Sequence, residues 1–294
     1  MSLKRSKRAI RFTVLALAIG LSVSGCGNDF VILHPAGPVA ASELNLIEIT
    51  AATMIVIILL VWVLFGIALV RFREKPGNQA PYRPLWDHNR ALELGVIAVS
   101  VVAATIIAIP TWNKTFALDR IPAGKTPIVI DVTSLDWKWL FEYPGQHIAT
   151  VNYIDVPTNR PVLFELTANS PMNTFWVPQL GGMEYTMPSE VLPLWLEASK
   201  PGLYWGRSGN FSGSGFVHMT FDVHAVSQAA FDTWVHTVRT TKPPMTMADY
   251  RQLLKFNWIA PRYYSAYPAA TFPAETHGFT LEGGMYMEMQ PTPK

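Results

Sequence analysis

One cysteine stands in the whole chain, Cys26. A lone thiol excludes an intrachain disulfide and any metal site built on several thiolates. Charge is scarce too: Asp, Glu, Lys and Arg make up 15% of the residues, against about a quarter in soluble domains. That deficit is expected where part of a chain sits in lipid. The net charge is only +2, and the basic residues form no aromatic-interleaved stripe that could track a phosphate backbone, so nucleic-acid binding is not expected. No nucleophile elbow or acid/base pair stands in a recognisable context, which counts against an independent hydrolase.

The N-terminus is rich in what the rest lacks. Lys4, Arg5, Lys7, Arg8 and Arg11 precede an apolar run from Phe12 to about Val23, the layout of a secretory signal. Small residues then lead into Cys26, as in a bacterial lipobox. We therefore expect residues 1–25 to be a lipoprotein signal peptide and Cys26 to be acylated, anchoring the mature N-terminus outside the cytoplasmic membrane. A buried, unmodified cysteine is the alternative.

Two long uncharged runs follow, Ile49 to Val70 and Leu94 to Trp112. At about 1.5 Å per residue each reaches spanning length, and Trp112 stands where an indole favours the interface. A buried helical hairpin is the competing reading. The intervening loop holds Arg71, Arg73, Lys75, Arg83 and Arg90 against Glu74 and Asp87, so the positive-inside rule places it in the cytoplasm. Residues 26–113 thus read as a lipid-anchored segment and a transmembrane hairpin, with everything beyond in the periplasm. Glu48, near the outer end of the first run, is expected to reach headgroup level and carries no chemistry.

From residue 114 to 227 the pattern changes to short Val/Ile/Thr/aromatic runs punctuated by Pro, Gly and Asn, the signature of an all-β Greek-key sandwich. Strands are predicted at Pro127–Thr133, Trp137–Tyr143, Pro161–Thr167, Leu192–Ala198 and Phe216–His224. In residues 228–294, three-to-four spacing of Phe231, Trp234, Val235 and Val238 predicts an amphipathic helix over Gln228–Arg239, and a shorter one over Met247–Leu254. Beyond Pro261 no periodicity is visible, and an extended, partly disordered tail is expected.

Two stretches carry a family resemblance. One reads NSPMNTFWVPQLG from Asn169 to Gly181; the other reads GLYWGRSGNFSGSGFVHM from Gly202 to Met219. Together they resemble the copper-binding strands and loop of cytochrome oxidase subunit II. In copper-bearing members a His precedes the Val-Pro element and the loop reads C-S-E-I-C-G-x-x-H-x-x-M. On that pattern the first His falls on Asn173, the cysteines on Ser208 and Ser212, the glutamate on Asn210 and the second His on Phe216; only Met219 matches. Hydroxyls and amides are too hard to replace bridging thiolates and imidazoles, so no copper is expected at these positions. A mononuclear site assembled from His218 and Met219 with His224 or His147 would also want a Cys ligand, and a surface His beside a core Met is the ordinary reading.

The chain is similar to the copper-free branch, the bo-type ubiquinol oxidases, through LDWKWLFEYP from Leu135, IATVN from Ile148 and AFDTWV from Ala230. The resemblance implies a transmembrane helical hairpin, a cupredoxin-like Greek-key sandwich and a C-terminal helical segment. It further implies a proton-pumping complex that oxidises ubiquinol and reduces oxygen to water, with haems and copper in subunit I, none in this chain, and subunits III and IV as further partners. The implied place is the bacterial inner membrane. In that family a glutamate at the position of Glu93, at the cytoplasmic start of the second helix, is associated with a proton pathway; a helix-start Glu favoured by the macrodipole is the plainer reading. Trp137 and Trp139 match an aromatic cluster that accepts electrons in copper-bearing members, and here they are expected to pack the barrel or a subunit interface. A copper electron-transfer protein and a lipoprotein assisting oxidase assembly are the rival readings.

Overall fold

The computed structural model describes residues 30–73, 89–169, 171–269, 271–272, 279–282 and 285–288. Cys26 and most of the basic loop, residues 74–88, lie outside them, as does the expected signal peptide.

Two helices, α1 (Pro38–Arg71) and α2 (Arg90–Leu118), pack as a hairpin, and both are long and apolar enough to cross a membrane. Pro38 opens α1, where its missing N–H costs nothing; the Asn89 side chain caps α2 by accepting from Leu92 N at 3.1 Å. The few hydroxyls inside them turn back on the helix: Thr53, Ser100, Thr105 and Thr111 each donate to the carbonyl four residues earlier. Such bonds satisfy these four hydroxyls without water. α1 starts well before the uncharged run because its 34 residues reach about 50 Å, against a hydrocarbon core of about 30 Å. The first turn, with Val39 and Ala40 buried, packs on the β-domain instead.

Eleven strands build that domain: β1 (Ile128–Leu135), β2 (Lys138–Tyr143), β3 (Ile148–Val151), β4 (Tyr153–Pro157), β5 (Val162–Ala168), β6 (Asn173–Trp176), β7 (Met183–Thr186), β8 (Leu192–Leu196), β9 (Gly202–Ser208), β10 (Thr220–Val226) and β11 (Arg262–Tyr264). They form two sheets, in the orders β11-β3-β2-β1-β5-β8 and β4-β10-β9-β6-β7. β1 with β5 and β4 with β10 are parallel; the other pairs are antiparallel. Between the sheets lies an aromatic core in which Phe175 and Phe221 stack at 4.9 Å and Trp139 meets Phe221 at 5.5 Å. β10 alternates strictly, with Phe221, Val223 and Ala225 inward. β2 does not: every residue is buried, because its outer face is covered as well.

The cover comes from the C-terminal region. Helices α3 (Gln228–Thr241) and α4 (Met247–Leu253) stand where the periodicity placed them, the second closed by a capping box between Thr246 and Asp249. Met245, Tyr250, Leu253 and Tyr264 form a second apolar cluster with Leu135, Leu140, Ala149 and Val151. Lys138, fully buried beneath it, donates to the carbonyls of Asp136, Leu253 and Lys255 at 2.8, 2.9 and 2.8 Å and so ties the end of α4 to the sheet.

Two expectations are corrected. Phe216–His218 is a 3-10 turn, and β10 begins only at Thr220. The chain must bend there to pass beneath Trp137, and an added Cβ on Gly215 would stand 2.0 Å from that indole. The region after Pro261 is not a loose tail at its start: β11 pairs with β3, and Tyr264 and Thr271 are buried. Residues 279–282 and 285–288 form a separate two-stranded hairpin.

The hairpin and the sandwich are joined through backbone. Ala36 N donates to Gln179 O at 2.7 Å, Ser199 N to Ala36 O at 2.8 Å, and the Trp195 indole caps α2 by donating to Leu118 O at 2.6 Å. Approach is so close at Gly37 that a Cβ would lie 2.0 Å from the Glu197 carbonyl oxygen, so only glycine fits.

Candidate functional site

β6 and β9 are neighbours, with Phe175 opposite Ser208, and the loop from Gly209 returns along Met219, whose carbonyl accepts from Ser208 N at 3.0 Å. This geometry gathers Asn173, Ser208, Asn210, Ser212 and Met219 at one end of the sandwich. Asn173, Ser208 and Met219 are each only 1% exposed. Their polar atoms are turned on one another: Ser208 Oγ lies 3.2 Å from Asn173 Oδ1 and 3.2 Å from the Asn210 carbonyl. Asn173 Nδ2 donates to Pro171 O at 2.9 Å, Asn210 Nδ2 to Met172 O at 3.0 Å, and Ser212 Oγ to Met219 Sδ at 3.8 Å. A further hydroxyl pair, Thr186 to Ser134 at 3.0 Å, closes the network from below.

Phe216, at the position of the second copper imidazole, packs on Phe211 at 5.6 Å between ring centres. A copper pair does not fit this donor set. Its members are neutral oxygens and amides plus a single thioether, engaged with one another and with nearby carbonyls, where dinuclear copper needs bridging thiolates. Among the described residues no group of three or more His, Cys, Asp and Glu side chains is placed to hold a metal ion. His218 is exposed beside Trp258, with Met219 buried, as the ordinary reading required. His224 is engaged elsewhere, 3.1 Å from Asp155 on the outer face of β4 and β10.

Trp139 is fully buried, its indole 3.5 Å from the Met219 carbonyl, so it belongs to the core. Trp137 lies over the loop, donating to Ser212 O at 3.2 Å and meeting Phe256 at 6.0 Å. Its φ of 60° is a left-handed conformation that a bulky residue adopts only when its surroundings hold it there. Glu93 sits in the first turn of α2, exposed, its N–H bonded to Asn89 O at 3.0 Å. Glu48 is exposed on α1.

One polar group escaped the sequence reading. Glu142 on β2 and Glu165 on β5 flank Asp131 on β1 at the same register, so three carboxyls stand abreast on the covered face of the larger sheet. Burial, then the Glu165 and Glu142 charges, push Asp131 up to about 8; burial pushes Glu142 up to about 7 and raises Glu165. Each is a single acid between apolar strand neighbours, and that was the available signal.

No family model matches the sequence. Among curated proteins, the chain is 43% identical over 247 residues to quinol oxidase subunit 2 of Bacillus cereus, covering 83% of this chain and 84% of that one. It is 36% identical over 256 residues to cytochrome bo(3) ubiquinol oxidase subunit 2 of Pseudomonas aeruginosa, covering 86% of this chain and 76% of the relative. Among solved structures, the periplasmic domain of cytochrome oxidase subunit II of Bradyrhizobium japonicum aligns with a TM-score of 0.38 at 21% identity, over 40% of this chain and 96% of that one. A haem–copper terminal oxidase dimer aligns at 0.36 and 14%, over 47% and 100%. Identity and coverage against the curated relatives place this chain in the quinol oxidase subunit 2 family.

Proposed function

We propose that this chain is the membrane-anchored scaffold and periplasmic cover of a proton-pumping quinol oxidase, with no copper centre of its own. The observation that carries this reading is that Asn173, Ser208, Asn210 and Ser212 occupy the copper-ligand positions with hydroxyls and amides, bonded to one another or to neighbouring carbonyls and the Met219 sulfur. Electrons from a soluble donor would find no relay there, which fits a complex fed by ubiquinol within the membrane. The haems and copper of the reaction are assigned to subunit I, and subunits III and IV are the further partners. The residues of this chain contribute position: α1 and α2 cross the inner membrane, and the bonds at Ala36, Ser199 and Trp195 hold the sandwich at their outer end. Acylation of Cys26 would add a second anchor to the hairpin.

Glu93 is assigned to a proton entrance at the cytoplasmic start of α2. Its place in the first turn of α2, at the membrane boundary next to the basic loop, supports that assignment. Glu93→Gln is expected to slow proton-coupled turnover of the assembled oxidase, and unchanged turnover removes the assignment.

The overall reading is tested by purifying the complex from its native membrane and recording haem spectra, metal content and oxygen uptake with quinol and with reduced cytochrome c. Haem with uptake driven by quinol alone is the expected result. A haem-free preparation from an intact complex overturns the oxidase reading, and additional copper with cytochrome c oxidation overturns the copper-free one.

A further inference from the structure

Beyond β11 the chain returns to the carboxyl row of the larger sheet, where Thr271 meets Glu142 and Tyr267 and Phe272 line a cleft with Asp131. Glu142 is fully buried, and its Oε1 bonds the Thr271 hydroxyl, while its Oε2 has no partner among the described residues. Thr271 Oγ1 also lies 2.7 Å from Pro268 O, a group that can only accept. One hydroxyl carries one proton. With an ionised Glu142, Thr271 would face two acceptors and could satisfy only one. With a protonated Glu142 both contacts close: the acid donates to Thr271, and Thr271 donates to Pro268 O.

Among the described residues no ion pair reaches the row. Asp131 stands directly opposite Glu142 on β1, with Glu165 beyond it on β5. On the β3 side the neighbour is Ala149, which in turn opposes Tyr264. From α4 comes the Tyr250 phenol, which donates to Thr271 O at 3.2 Å, and from the crossing segment Tyr267. Lys138, on the same face of β2, is spent on three carbonyls, and Arg262 on β11 acts on Asp249. A cleft of about 520 Å³ lined by Asp131, His147, Tyr267 and Phe272 leads in from solvent, giving protons a way to the row.

We propose that Glu142 is a protonated carboxylic acid that latches residues 265–269 and 271–272 onto the sandwich, so that docking of this segment is controlled by pH. The sign follows from linkage. Docking buries Glu142 and lifts its pKa from the ordinary carboxylate range to about 7, so the docked form binds more protons than the open one between those limits. Docking is therefore firm in acid and loosens as pH rises toward neutrality. Above that, the ionised acid remains in the row beside Asp131. On the face assigned to the periplasm, protons released outside would tighten the latch.

Hydrogen–deuterium exchange of the full chain in detergent, from about pH 5 to about pH 9 and corrected for intrinsic exchange, tests the latch. Peptides covering 265–269 and 271–272 should lose protection by up to about tenfold per pH unit on approaching neutrality, while peptides from β9 and β10 stay level. In Glu142→Gln the amide still donates to Thr271 without titrating, so the slope should be shallower than in the wild type by up to about tenfold per pH unit, with Asp131 supplying what remains. Glu142→Leu fills the same buried space with no ionisable group and should be equally shallow, should the amide variant fold poorly. A flat wild-type profile overturns the proposal, as does a slope undiminished in either variant.

Discussion

The helical hairpin and the sandwich are both built on large apolar side chains, yet they aim them in opposite directions. Val56 and Trp62 on α1 are each 66% exposed, whereas Phe175 and Phe221 between the sheets are at most 2% exposed. Water penalises exposed apolar surface by roughly 25 cal/mol per Å², so a helix pair bare on all sides is stable only where the surroundings are apolar too. The sandwich makes its own apolar interior; the hairpin borrows one from lipid. The difference teaches that half-hydrophobic composition has two separate causes in this chain, and each can be broken without the other.

The largest effect is expected in the sandwich. Phe221→Ala should cost about 4 kcal/mol, read as a fall in the unfolding midpoint of the β-domain with membrane integration unchanged. Val101→Asp, at an exposed position midway along α2, should penalise insertion by about 3 kcal/mol. Carbonate extraction of membranes should then release more of the chain, with the β-domain midpoint unmoved. A loss of sandwich stability in this variant would mean that the two regions fold as one unit and would break the comparison. Smaller again is Ser208→Ala, which removes a hydroxyl that bonds Asn173 and Asn210. Losing these bonds beside the buried Asn173 should cost about 1.5 kcal/mol in chemical denaturation. An unchanged midpoint would mean that the network fills space without holding it.

The parts of the fold that the sequence revealed are those with a period or a length. The spanning helices followed from uninterrupted apolar runs, and α3 from Phe231, Trp234, Val235 and Val238. β3, β4, β6 and β7, of four or five residues each, are too short to show alternation against their flanks, and β9 is diluted by Gly202 and Gly206. The copper-loop positions were legible because their spacing follows a family pattern; that their side chains would bond one another was not, since Asn173 and Ser208 lie 35 residues apart. The carboxyl row was missed because it depends on register. Asp131, Glu142 and Glu165 are unremarkable one by one, and become a cluster only when three strands align them.

Sequence alone determined where this chain can meet lipid and which ligands its loop lacks, because hydrophobic length and side-chain chemistry are local properties that no fold alters. Tertiary structure alone decided what those residues do instead. Pairing of β6 with β9 brought Asn173 and Ser208 together, so that two missing ligands bond each other instead. Covering the outer face of β2 with α4 and the segment that carries Thr271 turned an ordinary glutamate into a buried acid, since desolvation depends on what the chain brings back over a residue long after it has passed.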